Sequence, residues 1–179
     1  MNTEEQTTPT EMKAAITTEP APPDTLHELL GMALEDFKKV LKNPKYRVTM
    51  DIWYKFNAEE DICYVCLAGA FVSQRMKPKG NQINWHTISA EWYHALEALN
   101  SVRACRVPDA LIEYYCKNFS PGEKRGQKAV EEAIRMIDQI EGSEGHPLGQ
   151  FVEAFDYANP KPFLKYLETT RALLEEANL

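Results

Sequence analysis

The sequence lacks the features that mark membrane proteins, secreted proteins and disulfide-bonded scaffolds. Its longest run without a charge, residues 62–74, is 13 residues long, well short of the roughly 20 that span a bilayer. Residues 1–13 carry acidic side chains and no apolar core, so they do not resemble a secretory signal. Four cysteines among 179 residues are too few for a disulfide framework. We therefore expect a cytoplasmic protein with reduced thiols and no membrane partner.

Recognisable catalytic motifs are also absent. The sequence contains no Gly-x-Ser-x-Gly elbow, no P-loop, no His-Glu-x-x-His and no Rossmann glycine pattern. Catalytic triads are assembled from distant residues, so an enzyme is disfavoured rather than excluded, and neither a catalytic residue nor a cofactor is indicated. The net charge of -7 argues against a broad nucleic-acid interface, because phosphate binding requires clustered lysine and arginine.

The chain divides into a tail and one domain. Residues 1–23 are rich in threonine, glutamate and proline and poor in large apolar side chains, which predicts a disordered acidic tail. Pro20, Pro22 and Pro23 make the end of this tail stiff and extended. Residues 24–179 are predicted to form a single, mainly helical domain of about six to seven helices.

Apolar periodicity and end signals define the predicted elements. The first helix has Thr25 as its N-cap and Glu28 three residues later, the spacing of a capping box, and it stops at Asn43-Pro44. Residues 45–57 alternate apolar and polar side chains and are predicted to be extended and packed on helices, without an evident strand partner. The remaining predicted helices cover residues 58–76, 89–104, 107–117, 123–141, 145–158 and 161–177.

Several of these helices have a predicted core face. Trp92 lies on the apolar face of the helix that starts near residue 89, and it is assigned to the core. The helix over residues 123–141 is predicted to bury Ala129, Val130, Ala133, Ile134, Ile137 and Ile140. The last helix is predicted to bury Phe163, Leu164, Leu167 and either Leu173 or Leu174.

Residues 61–72 are the most informative stretch of the chain. No charged side chain occurs between Asp61 and Arg75, and small residues are interspersed with large apolar ones. A helix that is apolar on all sides is normally buried on all sides, so this segment is predicted to be the centre of the domain. Gly69 would let a neighbouring backbone approach closely.

Cys63 and Cys66 in this stretch allow three interpretations. Zinc sites use four ligands, usually in two close pairs, and Cys105 and Cys116 do not form a second such pair. A redox pair opens a helix after a strand, and the preceding extended run half meets this condition, but acidic residues 59–61 would raise the thiol pKa. Buried cysteine also behaves as a small hydrophobic residue, and core packing is the favoured interpretation.

Glu91 and His94 form an acidic-x-x-His unit on one helix face. Di-iron bundles use this unit twice, with two further carboxylates, whereas this sequence repeats it only at the very start of the first helix. An exposed row of charges explains the pattern more simply. The alternative prediction is a small metal-binding protein that uses Glu91 and His94, with or without Cys63 and Cys66.

Residues 77–94 form the clearest aromatic and basic region. Trp85 and His86 lie in its loop, and Lys77 and Lys79 come just before that loop. Aromatic side chains beside basic ones bind nucleotides or nucleic acid by stacking, so a binder of that class is a further alternative. Because loops carry binding sites more often than helix cores do, we predict that Lys77, Lys79, Trp85 and His86 contact a ligand or protein partner.

Three short motifs resemble a known group of sequences. Residues 50–53 read Met-Asp-x-Trp, residues 63–70 read Cys-x-x-Cys-Leu-Ala-Gly-Ala, and residues 98–103 read Ala-Leu-Asn-Ser-Val-Arg. Together with the short first helix, this order resembles a group of uncharacterised small proteins encoded by bacteriophages and prophages. The likeness covers residues 26–110 and carries no known activity, so it implies no catalytic residue.

The resemblance implies a setting inside a bacterial cell. We therefore expect a non-enzymatic phage accessory protein that binds a host or phage protein in the host cytoplasm, without a cofactor. The acidic balance, the lack of a catalytic constellation and the uncommitted aromatic loop support this expectation. Self-association of two copies of the chain stays open.

Overall fold

The computed structural model describes residues 20–50, 52–76, 88–116, 124–141 and 159–179. Within these ranges the chain forms six α-helices, one π-helix and a three-stranded sheet, which confirms the predicted mainly helical fold with a short β segment. The helices are α1 (Leu26–Lys42), α2 (Leu67–Arg75), α3 (Ala90–Arg103), α4 (Val107–Leu111), the π-helix (Ile112–Cys116), α5 (Lys124–Glu141) and α6 (Lys161–Glu176). The strands are β1 (Tyr46–Val48), β2 (Tyr54–Asn57) and β3 (Ile62–Val65).

Helix α1 forms along the predicted apolar stripe and packs against α2, α3 and α6. Leu29, Leu30 and Phe37 of this stripe are completely buried. The predicted core face of α6 is confirmed at Leu167 and Leu174, which are also completely buried. The core of the domain therefore includes the contact between the first and last described helices.

The N-terminus of α1 is stabilised by distant groups rather than by its own cap. Thr25 occupies the N-cap position as expected, but its hydroxyl makes no capping hydrogen bond. The amide of Leu26 instead donates to the hydroxyl of Tyr115 at 3.3 Å, and the amide of His27 donates to the carbonyl of Leu179 at 2.9 Å. The predicted capping bond is therefore wrong, although the predicted start of the helix is confirmed.

Strand β3 lies at the centre of the sheet, parallel to β1 and antiparallel to β2. Cys63 pairs with Tyr46 on one side and with Phe56 on the other. The prediction of extended structure within residues 45–57 is confirmed for β1 and β2. Strand β3 is the partner that the sequence pattern did not reveal.

The predicted helix over residues 58–76 is wrong in its first half. Residues 58–61 form the turn between β2 and β3, where Asp61 has a φ of 51°, and the helix begins only at Leu67. A short apolar run fits a buried strand as well as a buried helix, so periodicity alone does not separate the two. The acidic residues 59–61 therefore lie in a turn rather than at a helix N-terminus.

The all-apolar stretch is nevertheless central to the packing. Residues 65–72 are all buried, whereas residues 62–64, which belong to the same predicted segment, are only half-buried. At Gly69 an added Cβ would lie 1.4 Å from the carbonyl oxygen of Trp53. Only glycine permits that approach, so the backbone of α2 packs directly against the chain that leads into β2.

Helix α3 follows its predicted bounds closely, and α4 begins at the predicted residue but ends at Leu111. Ser89 caps α3 by accepting a hydrogen bond from the Trp92 amide at 3.3 Å. Helix α4 continues directly into the π-helix, in the region predicted as one short helix over residues 107–117. The predicted helix over residues 145–158 lies outside the described residues.

Among the helices described, none combines the length and the apolar character that crossing a bilayer requires.

Helix α5 turns a narrower face to the core than the one predicted. Ala129 and Ala133 are buried together with Met136, whereas Val130 and Ile134 are 37% and 54% exposed. The side chains at positions 137 and 140 lie outside the described part of the chain. The predicted core face is therefore correct for the two alanines and wrong for Val130 and Ile134.

Candidate functional site

The predicted ligand or partner residues Lys77, Lys79, Trp85 and His86 lie outside the residues that the structure describes. Their role stays a prediction. The nucleotide or nucleic-acid alternative depends on the same side chains, so it stays a prediction too.

Glu91 and His94 lie in the first two turns of α3. Glu91 is exposed, and a hydrogen bond from the Ser89 hydroxyl lowers the pKa of its carboxyl group, aided by its own backbone amide. His94 is half-buried, and its Nδ1 atom is buried without a hydrogen-bond partner. Within the described ranges, no three histidine, cysteine or carboxylate side chains lie close enough together to hold a metal ion. The alternative set of Glu91, His94, Cys63 and Cys66 is therefore not assembled.

Cys63 lies within β3, and Cys66 is the residue between β3 and α2. The Cys63 sulfur lies 3.9 Å from the Tyr54 hydroxyl, and Cys66 is the N-cap residue of α2. Both are free thiols. Burial raises the pKa of the Cys66 thiol, and the backbone amides of Gly69 and Ala68 offset this only in part. Because nucleophilic and metal-binding cysteines act as thiolates, the raised pKa favours the packing interpretation.

A buried carboxylate, Asp36, joins α1 to α2. It is 1% exposed and accepts hydrogen bonds from Arg75 Nε at 2.5 Å and from Lys39 Nζ at 2.8 Å. The Arg75 guanidinium also lies over the Phe71 ring, 5.1 Å from its centroid. Both carboxylate oxygens therefore bind cationic groups, which explains how this charge is buried.

A cavity of about 150 Å³ lies at the N-terminal end of α1. Its lining residues are Thr25, Tyr115, Lys128, Ala129, Asn178 and Leu179. Small-molecule sites usually measure roughly 300–1,000 Å³, so this cavity does not indicate a substrate pocket.

A proline-rich segment is bound to an aromatic surface formed by α3 and the π-helix. The indole Nε1 of Trp92 donates a hydrogen bond of 2.8 Å to the Pro20 carbonyl, and the Tyr114 hydroxyl donates one to the Pro23 carbonyl. Pro22 and Pro23 are half-buried, whereas Pro20 is exposed. We call Trp92 and Tyr114 the donor pair.

This contact corrects one assignment made from the sequence and completes another. Residues 20–23 were assigned to a disordered tail, but they are hydrogen-bonded to the domain, while residues 1–19 lie outside the described part. Trp92 was assigned to the core, and it is indeed 6% exposed, with its ring 5.4 Å from the Phe71 ring. Its core assignment is correct for the ring and incomplete for the indole N–H.

The donor pair is held in place by the packing of α3 against the π-helix. Ser101 of α3 donates from its hydroxyl to the Glu113 carboxylate at 2.7 Å. The Tyr114 ring packs edge-on against Tyr115, with 5.0 Å between the ring centroids. π-Helical turns are rare and occur frequently at functional sites. The two donors are thus presented by a well-packed surface.

The two bound carbonyls belong to residues three apart. A polyproline II helix has three residues per turn and rises 3.1 Å per residue, so such carbonyls lie on one face about 9 Å apart. The signal in the sequence is the Pro-x-x-Pro pattern of residues 20–23, which by itself predicts only a stiff, extended segment. Binding of an extended proline-rich segment by aromatic side chains is a known mode of peptide recognition.

No protein-family model matches the chain, and no curated protein or solved structure matches it either. The resemblance to phage and prophage proteins therefore stays a prediction.

Proposed function

We propose that this chain is a non-enzymatic accessory protein that binds a segment of another protein at the donor pair, Trp92 and Tyr114. The observation that carries the proposal is the hydrogen bonding of both side chains to main-chain carbonyls of residues 20–23. Following the resemblance to phage and prophage proteins, we propose a host or phage protein as the partner and the host bacterial cytoplasm as the location.

The chemistry of the donor pair suits the binding of an extended segment. Buried tryptophan and tyrosine usually pair their N–H and O–H groups, and here main-chain carbonyls supply that pairing. Recognition through the main chain accepts any segment that offers carbonyls at the same spacing. The site therefore has the chemistry to bind a segment of a second protein in the same way.

Exposed apolar side chains accompany the donor pair. Tyr93 is 44% exposed and follows Trp92 in the chain, and Ile112 is 38% exposed and lies two positions before Tyr114. Aromatic residues are enriched where proteins bind one another. These two exposed side chains, which are close to the donors in sequence, add apolar surface that a bound partner can contact.

Site-specific photo-crosslinking in a bacterial lysate tests this proposal. The full-length chain carries benzoylphenylalanine in place of Tyr93 or, as a matched control, in place of Lys55, which is exposed on β2. We expect one defined protein to be crosslinked from position 93 and not from position 55. Its yield should fall when Tyr114→Phe is added, because that change removes one hydrogen-bond donor and keeps the ring.

Two results would overturn the proposed function. One is an equal crosslinking yield from positions 93 and 55, which would show that the donor pair does not direct binding. The other is steady turnover of a substrate by the purified chain.

A further inference from the structure

The donor pair also indicates what kind of segment it binds, an inference that rests on the proposed function. We propose that it recognises a proline-rich segment of a partner protein in the polyproline II conformation. Residues 20–23 occupy the site in the absence of that partner and are displaced by it.

The donors of the site match the acceptors of a proline-rich chain. The Trp92 indole N–H donates and cannot accept, and the Tyr114 hydroxyl acts as a donor here. Proline has a carbonyl but no N–H, so a run of prolines presents acceptors without donors. A polyproline II helix makes no internal hydrogen bonds, so these carbonyls are available to a partner.

The bound segment is partly covered by the protein at its C-terminal end. Pro22 and Pro23 are half-buried, and Pro20 and Ala21 are exposed. The two accepting carbonyls belong to residues three apart, the spacing at which a polyproline II helix brings carbonyls to one side. A proline-rich segment of another protein with the same spacing would present the same two acceptors.

The connection to α1 explains why the chain's own segment occupies the site. Residues 20–23 precede Leu26, the first residue of α1, by only a few positions. Short tethers produce effective concentrations in the millimolar range, which favours occupation from within the chain. If the site is open in about one molecule in ten, a partner segment binds about tenfold more weakly than it would to an open site.

The binding test uses the full-length chain and a fluorescein-labelled peptide with repeated Pro-x-x-Pro units, followed by fluorescence polarisation. A loosened variant carries Pro20→Gly, Pro22→Gly and Pro23→Gly, which remove the preference of this segment for an extended conformation. We expect the loosened variant to bind the peptide about tenfold more tightly than the unaltered chain. Adding Tyr114→Phe should weaken binding by about threefold to tenfold, whereas adding Tyr54→Phe on the sheet should leave it unchanged.

The indole N–H resonance of Trp92 reports occupation of the site directly. In a proton–nitrogen correlation spectrum of the full-length chain, this peak is assigned by its loss in Trp92→Phe. We expect the loosening of residues 20–23 to shift the peak, and saturating peptide to return it toward its original position. Circular dichroism melting verifies that each variant is folded.

Three outcomes would overturn the inference. The first is an absence of peptide binding in every folded variant together with a Trp92 resonance that does not respond. The second is equal affinity of the unaltered and loosened chains, which would exclude competition by residues 20–23. The third is a dimer that loosening abolishes, because the occupant would then be the segment of a second copy. Failure here is distinguishable from failure of the proposed function, since crosslinking needs no proline-rich peptide.

Discussion

Replacing Gly69 with alanine adds one methyl group at the point where α2 contacts the chain before β2. The added Cβ would lie 1.4 Å from the Trp53 carbonyl oxygen and 2.5 Å from its carbonyl carbon. Because atoms cannot overlap to this extent, α2 and the backbone at residue 53 must move apart. The same carbonyl accepts a hydrogen bond from the Cys66 amide at 3.3 Å, so this movement weakens that bond as well.

Gly69→Ala is expected to destabilise the protein, whereas the same substitution in an ordinary helix interior stabilises it. In an ordinary helix interior, alanine in place of glycine stabilises by about 0.5–1 kcal/mol. Over-packing of a core typically costs about 1–3 kcal/mol, and at Gly69 the overlap is with backbone rather than with a flexible side chain. We therefore expect Gly69→Ala to lower the free energy of unfolding by about 2 kcal/mol. That loss corresponds to a melting temperature about 4–8 °C lower, and Gly69→Leu should destabilise further.

Gly31 of α1 supplies the matched control for this prediction. An added Cβ there would meet the end of the Arg171 side chain, with Nε nearest at 3.0 Å, and that flexible, exposed side chain can shift while it stays near Glu175. We expect Gly31→Ala to be neutral or to stabilise by up to about 1 kcal/mol. Urea unfolding followed by circular dichroism measures both variants on the same chain. Equal stability of the two variants would refute the close backbone contact at Gly69.

Three further predictions concern other parts of the described structure. Cys66→Ser should change the free energy of unfolding by less than about 1 kcal/mol, because the buried hydroxyl would sit at the N-cap of α2 and accept from the amides of Ala68 and Gly69; a loss of about 3 kcal/mol would contradict this. Asp36→Asn should lower the free energy of unfolding by about 1.5–3 kcal/mol through loss of the charge-assisted bond to Arg75. Salt screens a buried pair only weakly, so an equal loss of stability of the unaltered chain at high salt would contradict this explanation. Since Ser89 lowers the pKa of Glu91, the stabilisation from this contact is present above the ordinary glutamate pKa and is lost as pH falls through the lowered one. Ser89→Ala should return the Glu91 pKa toward its ordinary range in a nuclear magnetic resonance titration, and an unmoved pKa would exclude the hydrogen bond as its cause.

Several element boundaries were predictable because their signals are local. Asn43-Pro44 ends α1, since the residue before a proline avoids the helical conformation. Ser89 caps α3 through its own hydroxyl, only a few residues from the amide that it accepts. Such signals act within a single helical turn, so they do not depend on where the rest of the chain lies.

Residues 62–65 required the tertiary structure. Their apolar character correctly indicated full burial only at Val65, because residues 62–64 are half-buried, and it did not distinguish a helix from a strand. The choice was made by β1 and β2, which hydrogen-bond to β3 on both of its sides. Sheet bonds join residues from separate segments, so no pattern within residues 62–65 contains that information.

The candidate site shows the same division. The Pro-x-x-Pro pattern and the identities of the aromatic side chains can be read directly, and they determine which groups donate and which accept. Trp92 lies 72 positions from Pro20, and Tyr114 lies 91 positions from Pro23. Local propensity does not act over such separations. The packing of α3 against the π-helix brings the two donors to carbonyls three residues apart, and this tertiary contact alone decided that the segment binds there.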